Sequence, residues 1–167
     1  MLGAVDAGGR PVGVSSPQGL EIRFVERTRF GVGVRLRNGS SRPVTLVDVR
    51  TLEPLRSLAR QVGTRLVPWN PPKCSGAHSC PLVTFFRASY GGVRPAPVTA
   101  PPGKDVGVQL NFRLDSCGAA PFASAAAVRF VVADYRFGRE SLRHETLPLG
   151  AATLRLRMPK PADCGTD

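Results

Sequence analysis

Two cysteines and a histidine within one short segment are the most reactive combination in this sequence. Cys74, His78 and Cys80 offer two thiolate sulfurs and one imidazole nitrogen, which are ligand types that zinc and copper accept. The C-x5-C spacing is not that of a zinc knuckle, and a further ligand would have to come from a distant cysteine or from His144. We therefore favour a local disulfide here, and a metal-binding or redox role for Cys74, His78 and Cys80 is the alternative.

The cysteine count points the same way. Four cysteines form an even set, which in a small β-rich chain is typical of two disulfides and an oxidising compartment. We predict the pairs Cys74–Cys80 and Cys117–Cys164, because the first closes a short loop containing Gly76 and the second fastens the C-terminal tail. On the chain-entropy model the second bond stabilises by roughly 4 kcal/mol and the first by about 2 kcal/mol.

Motifs for catalysis are missing from the sequence. It contains no G-x-S-x-G elbow, H-E-x-x-H helix or P-loop, and Gly31-Val32-Gly33 lacks the third glycine of a dinucleotide site. His78 and His144 are the only histidines available as a base, and we expect His144 to be a surface residue on a strand. The sequence thus predicts no catalytic residue, no cofactor and no enzyme activity.

A strong positive charge raises a second binding hypothesis. The formal net charge is +11, and arginine supplies most of the 23 basic residues. The arginines stand singly beside apolar residues, as in Arg35, Arg113 and Arg155, which is typical of the polar faces of strands rather than of a basic tail. A polyanion binder acting through Arg-rich strand faces, or a nonspecific attraction to polyanions, is therefore a further alternative.

Alternation of apolar and polar residues predicts strands along most of the chain. The longest run, 106–114, has five apolar positions in alternation, which is the mark of a half-buried strand. Runs at 20–24, 32–36 and from 44 onward predict three consecutive antiparallel strands, with the turn formers of 38–43 before the third. Further strands are predicted at 82–88, 128–132, 142–149 and 154–158, with a hairpin turn at Phe137-Gly138-Arg139-Glu140.

One long segment interrupts this pattern. From Arg50 to Pro81 the alternation stops, and we predict a long loop with a short helical turn near its start. Prolines around Trp69 and Asn70 exclude a central strand there, because proline has no N–H to donate. We take Trp69, Asn70 and Tyr90 as candidate binding residues on loops, where an exposed aromatic ring can anchor a partner.

Three stretches carry a resemblance to a known class of domain. They are GVGVRLRNGSSRPVTLVDV (31–49), APPGKDVGVQLNFRLDSC (100–117) and VRFVVADYRFGRESLRHETLPL (128–149). The order of these motifs resembles immunoglobulin-like domains of secreted and cell-envelope proteins of high-GC Gram-positive bacteria. The resemblance implies an all-β, antiparallel immunoglobulin-like β-sandwich of about 7–9 strands, and it carries no functional residues.

These observations give one domain organisation and one leading function. We expect a flexible segment at 1–18, the sandwich at 19–158, and a tail at 159–167 that a disulfide tethers. No apolar run reaches the roughly 20 residues that cross a bilayer, and no export signal is visible in the sequence. The predicted function is a non-catalytic, secreted or cell-envelope binding or structural module that engages a protein or cell-envelope partner through its loops.

Overall fold

The described part of the chain is entirely β. The structure is a computed structural model that describes residues 3–6, 13–16, 19–23, 28–52, 59–69, 95–114, 125–149 and 153–157. Within these ranges there is no helix, and hence none with the length and apolarity that crossing a bilayer requires. The strands are β1 (Gly3–Asp6), β2 (Gly13–Ser16), β3 (Gly19–Arg23), β4 (Arg29–Arg37), β5 (Val44–Thr51), β6 (Ala59–Pro68), β7 (Val98–Ala100), β8 (Asp105–Leu114), β9 (Ala125–Val128), β10 (Phe130–Arg136), β11 (Arg143–Pro148) and β12 (Leu154–Arg157).

The strands form three sheets of four strands each. Sheet 1 has the order β1-β4-β8-β6, sheet 2 has β11-β10-β5-β7, and sheet 3 has β2-β3-β12-β9. All pairs are antiparallel except β3 with β12, which is parallel. The prediction of an all-β fold is confirmed. The described residues contain twelve strands, more than the 7–9 expected, partly because the segment 1–18 contributes β1 and β2.

The central strand β8 explains how sheet 1 forms. Its five alternating apolar residues are at most 3% exposed and lie in one core cluster with residues of sheets 2 and 3. Phe112 of β8 stacks on Phe30 of β4, with ring centroids 5.2 Å apart. The strand predicted from alternation at 106–114 is thus confirmed, and its inward positions hold the core.

The predicted run of three consecutive antiparallel strands is wrong. β3, β4 and β5 lie in three different sheets, and none of them pairs with another. The connection after β4 is too long for a two-residue hairpin turn, and it carries the chain from sheet 1 to sheet 2. The segment between β7 and β8 crosses between the same two sheets in the opposite direction.

Sheet 3 adjoins sheet 2 where β9 runs directly into β10. Only Arg129 separates β9 from β10, and the Leu149 N–H donates to the Arg129 carbonyl at 2.7 Å.

The predicted hairpin between β10 and β11 is confirmed. Its turn is closed by a hydrogen bond from the Glu140 N–H to the Phe137 carbonyl at 3.0 Å, with Gly138 at a φ of 55°.

The long loop predicted for 50–81 is wrong over residues 59–68, which form β6 at the edge of sheet 1. A register shift between Gln61 and Gly63 places one extra residue in the strand. The inward positions therefore change from odd to even numbers, with Ala59 buried before the shift and Leu66 after it. Because this bulge breaks the alternation, the sequence pattern does not show the strand.

Side chains of β6 also join sheet 1 to sheet 2. The β7 strand pairs with β5 only as far as Leu46. Beyond that point, Gln61 accepts a hydrogen bond from the Thr51 N–H at 2.8 Å and donates to the Val49 carbonyl at 2.9 Å. The Thr64 hydroxyl donates to the same carbonyl at 2.7 Å. These polar contacts satisfy backbone groups of β5 that no described strand pairs with, and they close this side of the two-sheet interface.

Candidate binding pocket

A pocket of about 390 Å³ lies between sheets 1 and 2 at one end of their interface. We call it the end pocket. It is located where β4 leaves sheet 1 for sheet 2 and where the chain returns from β7 to β8. Its walls are mostly apolar, and its polar groups are few. It is lined by Leu36, Arg37, Asn38, Gly39, Ser40, Val44, Leu46, Ala100, Val106, Ala133, Tyr135, Phe137, Glu145 and Leu147.

The buried carboxamide of Asn38 builds the rim of the end pocket. Its Nδ2 donates to the carbonyls of Arg42 and Ala100, at 2.8 and 2.9 Å. Its Oδ1 accepts hydrogen bonds from the backbone N–H and the hydroxyl of Ser40, at 2.9 and 2.7 Å. Asparagine favours such local turns because its short side chain reaches neighbouring backbone groups. Asn38 therefore fixes its own turn and ties that turn to β7.

The second crossing between the sheets is fastened to the first. The Gly103 N–H donates to the Asn38 carbonyl at 2.8 Å, and the Asn38 N–H donates to the Lys104 carbonyl at 2.9 Å. Gly103 has a φ of 69°, a conformation that L side chains rarely adopt. These two backbone bonds hold both crossings in one place, so the rim is defined by hydrogen bonds rather than by loose chain.

Tyr135 and Glu145 supply a polar contact at the pocket wall. They lie on the neighbouring strands β10 and β11, where Tyr135 pairs with Arg143 and Glu145 lies two residues further along β11 on the same face. Desolvation of the phenol raises the pKa of Tyr135, and the nearby charge of Glu145 and its hydrogen bond raise it further, while the cation of Arg143 lowers it. The phenol therefore stays neutral to a higher pH than an ordinary tyrosine. The Glu145 carboxylate makes this part of the pocket an acceptor for hydrogen-bond donors.

An aromatic ring that two guanidinium groups contact borders the end pocket. The guanidinium carbons of Arg42 and Arg143 lie 4.8 and 5.1 Å from the centre of the Phe137 ring. Both arginines also form ion pairs with Glu140, and these hydrogen bonds lower the pKa of its carboxyl group. Tyr135 meets the same ring edge-on, with centroids 5.8 Å apart. This cluster positions Phe137 at the pocket wall through cation–π and edge-to-face contacts.

A separate polar cluster centres on Asp134, on the face of β10 away from the end pocket. Its two carboxylate oxygens contact His144 Nδ1, at 2.7 Å, and Arg50 Nη1. The side chain of His144 is 58% exposed, so the prediction of a surface histidine on a strand is confirmed. Within the described ranges, no group of three or more His, Cys, Asp or Glu side chains is placed to hold a metal ion.

Only some of the candidate residues from the sequence analysis lie in the described part of the chain. Trp69 directly follows β6, and its N–H donates to the Asp105 carbonyl at 3.3 Å, which places it at the same end of sheet 1 as the end pocket. The other candidates lie outside the described residues and are Asn70, Cys74, His78, Cys80, Tyr90, Cys117 and Cys164. The cysteine pairing, the metal alternative and the binding role of Asn70 and Tyr90 therefore stay predictions.

The sequence analysis missed Tyr135 and Glu145. A signal for them was present, because the turn at 137–140 sets the register of β10 against β11. That register places Tyr135 and Glu145 on one face of the hairpin. The pocket itself could not be inferred, since it needs the two crossings between sheets.

Comparison with known proteins adds no further guide to function. No protein-family model matches the chain, and no curated protein matches its sequence.

Proposed function

We propose that this chain is a non-catalytic, extracytoplasmic binding module whose end pocket takes up an apolar group of a protein or cell-envelope partner. The observation that carries the proposal is the pocket itself. Its volume of about 390 Å³ lies within the range of about 300–1,000 Å³ that is usual for ligand sites. Like those sites, it combines aliphatic walls with a small number of placed polar groups.

The polar wall suggests which apolar groups would fit. The Glu145 carboxylate is an acceptor, and the neutral phenol of Tyr135 donates a hydrogen bond to it. A bound group that brings its own donor, such as an N–H or an O–H, can pair with Glu145. A purely apolar group would displace water from the pocket-facing side of this exposed carboxylate without replacing its hydrogen bonds, which costs free energy. We therefore propose an apolar occupant that carries one hydrogen-bond donor.

An immunoglobulin-like arrangement is part of this proposal. Sheets 1 and 2 enclose a common core, and the chain crosses twice between them at the pocket end. Trp69 lies at that end, in keeping with binding through loops at one end of a sandwich. The four cysteines support a disulfide-stapled, secreted or cell-envelope protein.

A fluorescence titration with N-phenyl-1-naphthylamine tests the pocket. This neutral probe joins two apolar ring systems through one N–H, and its emission rises in apolar surroundings. The test variant is Leu147→Trp, which replaces an aliphatic side chain of the pocket wall with a bulkier indole ring. The control is Leu142→Trp, because Leu142 is 46% exposed in the β10–β11 connection and does not line the pocket.

We expect the wild type and Leu142→Trp to bind the probe equally, and Leu147→Trp to bind it about tenfold more weakly, or about 1.4 kcal/mol. Equal affinity in the two tryptophan variants would show that the probe binds elsewhere. A wild type that does not bind the probe would overturn the pocket as the site.

A further inference from the structure

One edge of sheet 2 is formed by an exposed strand. β11 is the end strand in the order β11-β10-β5-β7, and among the described strands only β10 pairs with it. Five of its six residues are exposed, so solvent reaches both faces of this strand. An open sheet edge presents backbone N–H and C=O groups that can pair with another strand.

The hydrogen bonds of the β10–β11 hairpin show which residues direct their backbone groups outward. The Leu149 N–H donates to the Arg129 carbonyl, and in an antiparallel ladder such hydrogen-bonded pairs recur at every second residue. The register continues from this pair along β11 without a shift. The odd-numbered residues of β11 therefore direct their backbone groups towards β10, and the even-numbered residues direct theirs to the open edge. The outward set is His144, Thr146 and Pro148.

The side chains of β11 restrict how a second strand can pair with this edge. Pro148 has no N–H, so it ends the usable edge on one side. Arg143 and Glu145 are two residues apart and therefore lie on one face of the strand. Opposite charges that face each other across a strand pair stabilise it, whereas like charges destabilise it. The edge therefore favours a partner strand that opposes an acidic residue to Arg143 and a basic residue to Glu145.

A second copy of β11, running antiparallel, meets this requirement. With a two-fold axis at His144, Arg143 of each copy lies opposite Glu145 of the other copy. Because His144 directs its backbone groups to the edge, the two His144 residues form a hydrogen-bonded pair. The charged residues on either side then form non-hydrogen-bonded pairs, whose Cα atoms are only about 4.5 Å apart. Both charge pairs are thus brought close together in this register.

The neighbouring registers are less favourable. An axis at Glu145 or at Arg143 opposes two residues of like charge. An axis at Thr146 opposes Pro148 to His144, and the missing N–H of the proline leaves the His144 carbonyl without its donor. The charge pattern and the proline together select the axis at His144.

We propose that β11 pairs antiparallel with β11 of a second copy of this chain, across a two-fold axis at His144, and so joins sheet 2 of both copies into one continuous sheet. Such an interface uses the same patch on both copies, which is typical of homodimers. Arg143 also contacts Glu140, and Glu145 accepts a hydrogen bond from Tyr135. A guanidinium has several donors and a carboxylate has a second oxygen, so each can take a further partner. The proposal depends on the strand edge and not on the end pocket, so it goes beyond the function proposed above and either can fail alone.

Sedimentation equilibrium of the full chain tests the pairing, at about 150 mM salt and at concentrations up to about 500 μM. The test variants are Arg143→Glu and Glu145→Arg, because each opposes like charges in its own homodimer. In an equimolar mixture, a pair made of one copy of each variant opposes charges of opposite sign at both places. The control is Arg29→Glu, which changes the net charge as Arg143→Glu does, at an exposed position of sheet 1.

We expect the wild type and Arg29→Glu to dimerise alike, and each test variant alone to dimerise at least about tenfold more weakly. The mixture of the two test variants should recover the dimer. Thr146→Pro is a second kind of variant, which removes an outward N–H at a sheet edge where proline is tolerated, and it should also weaken the dimer.

A wild type that stays monomeric over the whole concentration range would overturn the proposal. So would a dimer that persists unchanged in both test variants and in Thr146→Pro, because the contact would then lie elsewhere on the molecule. A mixture that stays monomeric, while circular dichroism shows that both variants are folded, would contradict the register with its axis at His144.

Discussion

The two faces of sheet 1 use the same alternation for opposite purposes. On the inner face, the odd–even pattern of β8 delivers five apolar side chains to the core, and the interface with sheet 2 ends in the end pocket. On the outer face, the intervening positions are Gly107, Gln109, Asn111 and Arg113. Gln109 and Asn111 are nevertheless only 1% and 2% exposed. Alternation thus identifies the two faces of a strand, but it does not say that the polar face meets water.

The inner face should give the largest loss of stability. Phe112→Ala removes a fully buried ring that stacks on Phe30, and we expect it to lower the free energy of unfolding by about 3–5 kcal/mol. Leu142→Ala, at an exposed position, is the control and should change little. Chemical denaturation measures both. A loss below about 1 kcal/mol for Phe112→Ala would mean that this face is not the centre of the core.

The rim of the end pocket should come next. Asn38→Ala removes four hydrogen bonds to a buried carboxamide and leaves the Ala100 carbonyl without its Asn38 donor. With a net value of about 1 kcal/mol per bond, partly offset by relaxation, we expect a loss of about 2–3 kcal/mol. Ser40→Ala removes three hydrogen bonds of the hydroxyl, but two of them are exposed and water can replace them, so it should cost about half as much in the same denaturation experiment. An equal cost for the two variants would contradict the role given to the carboxamide.

The outer face is tested by adding a single methyl group. A Cβ at Gly31 would meet Gln109 Nε2 at 2.9 Å and Asn111 Oδ1 at 3.2 Å, and these two groups are hydrogen-bonded to each other at 2.7 Å. Because both carboxamides are buried, they have little room to shift, and we expect Gly31→Ala to destabilise by about 1–2 kcal/mol. Gly39→Ala is the control, since its Cβ would meet nothing within 4 Å. Thermal melts that shift equally for both variants would show that the outer face is loosely packed.

The smallest effect concerns the ionisation of Tyr135 at the pocket wall. The pKa of Tyr135 is higher in the folded chain than its ordinary value of 10.0. The stability that this neutral phenol contributes is therefore full below about pH 10 and is lost as the pH rises through the folded pKa. In a Tyr90→Phe background, phenolate absorbance follows Tyr135 alone, because the chain has two tyrosines.

We expect Glu145→Gln to lower the pKa of Tyr135, since it removes a neighbouring negative charge. Glu21→Gln is the control at a distant position in sheet 3 and should leave the titration unchanged. An unaltered pKa of Tyr135 in Glu145→Gln would show that the two side chains do not interact. It would contradict the role of Glu145 as the acceptor at the pocket wall.

The sequence predicted those parts of the fold in which a local pattern survives. β8, the strand after the 137–140 turn, and that turn itself follow from alternation and from turn residues. β6 did not, because the bulge between Gln61 and Gly63 shifts its phase. The partners of β4 and β5 could not be read from sequence either, because Asn38 turns the chain into another sheet through contacts with distant Ala100.

The candidate site was predicted less completely than the fold. Trp69 does lie at the end of sheet 1 where the end pocket opens. Its location follows from Pro68, the last residue of the strand before it. The pocket walls combine residues of β4, β5, β7, β8, β10 and β11, and such a combination depends on sheet stacking. No spacing in one segment of the sequence encodes it.

Methyl NMR of the protein with N-phenyl-1-naphthylamine tests the central claim most directly, because it locates the bound probe on the molecule. The account predicts that the largest shift changes occur at the methyl groups of Leu36, Val106 and Leu147, which line the end pocket from both sheets. The exposed side chains Leu52 and Leu142 serve as internal controls and should change little. Shift changes that are largest at Leu52 or Leu142, with the pocket methyl groups unaffected, would contradict a binding site between sheets 1 and 2.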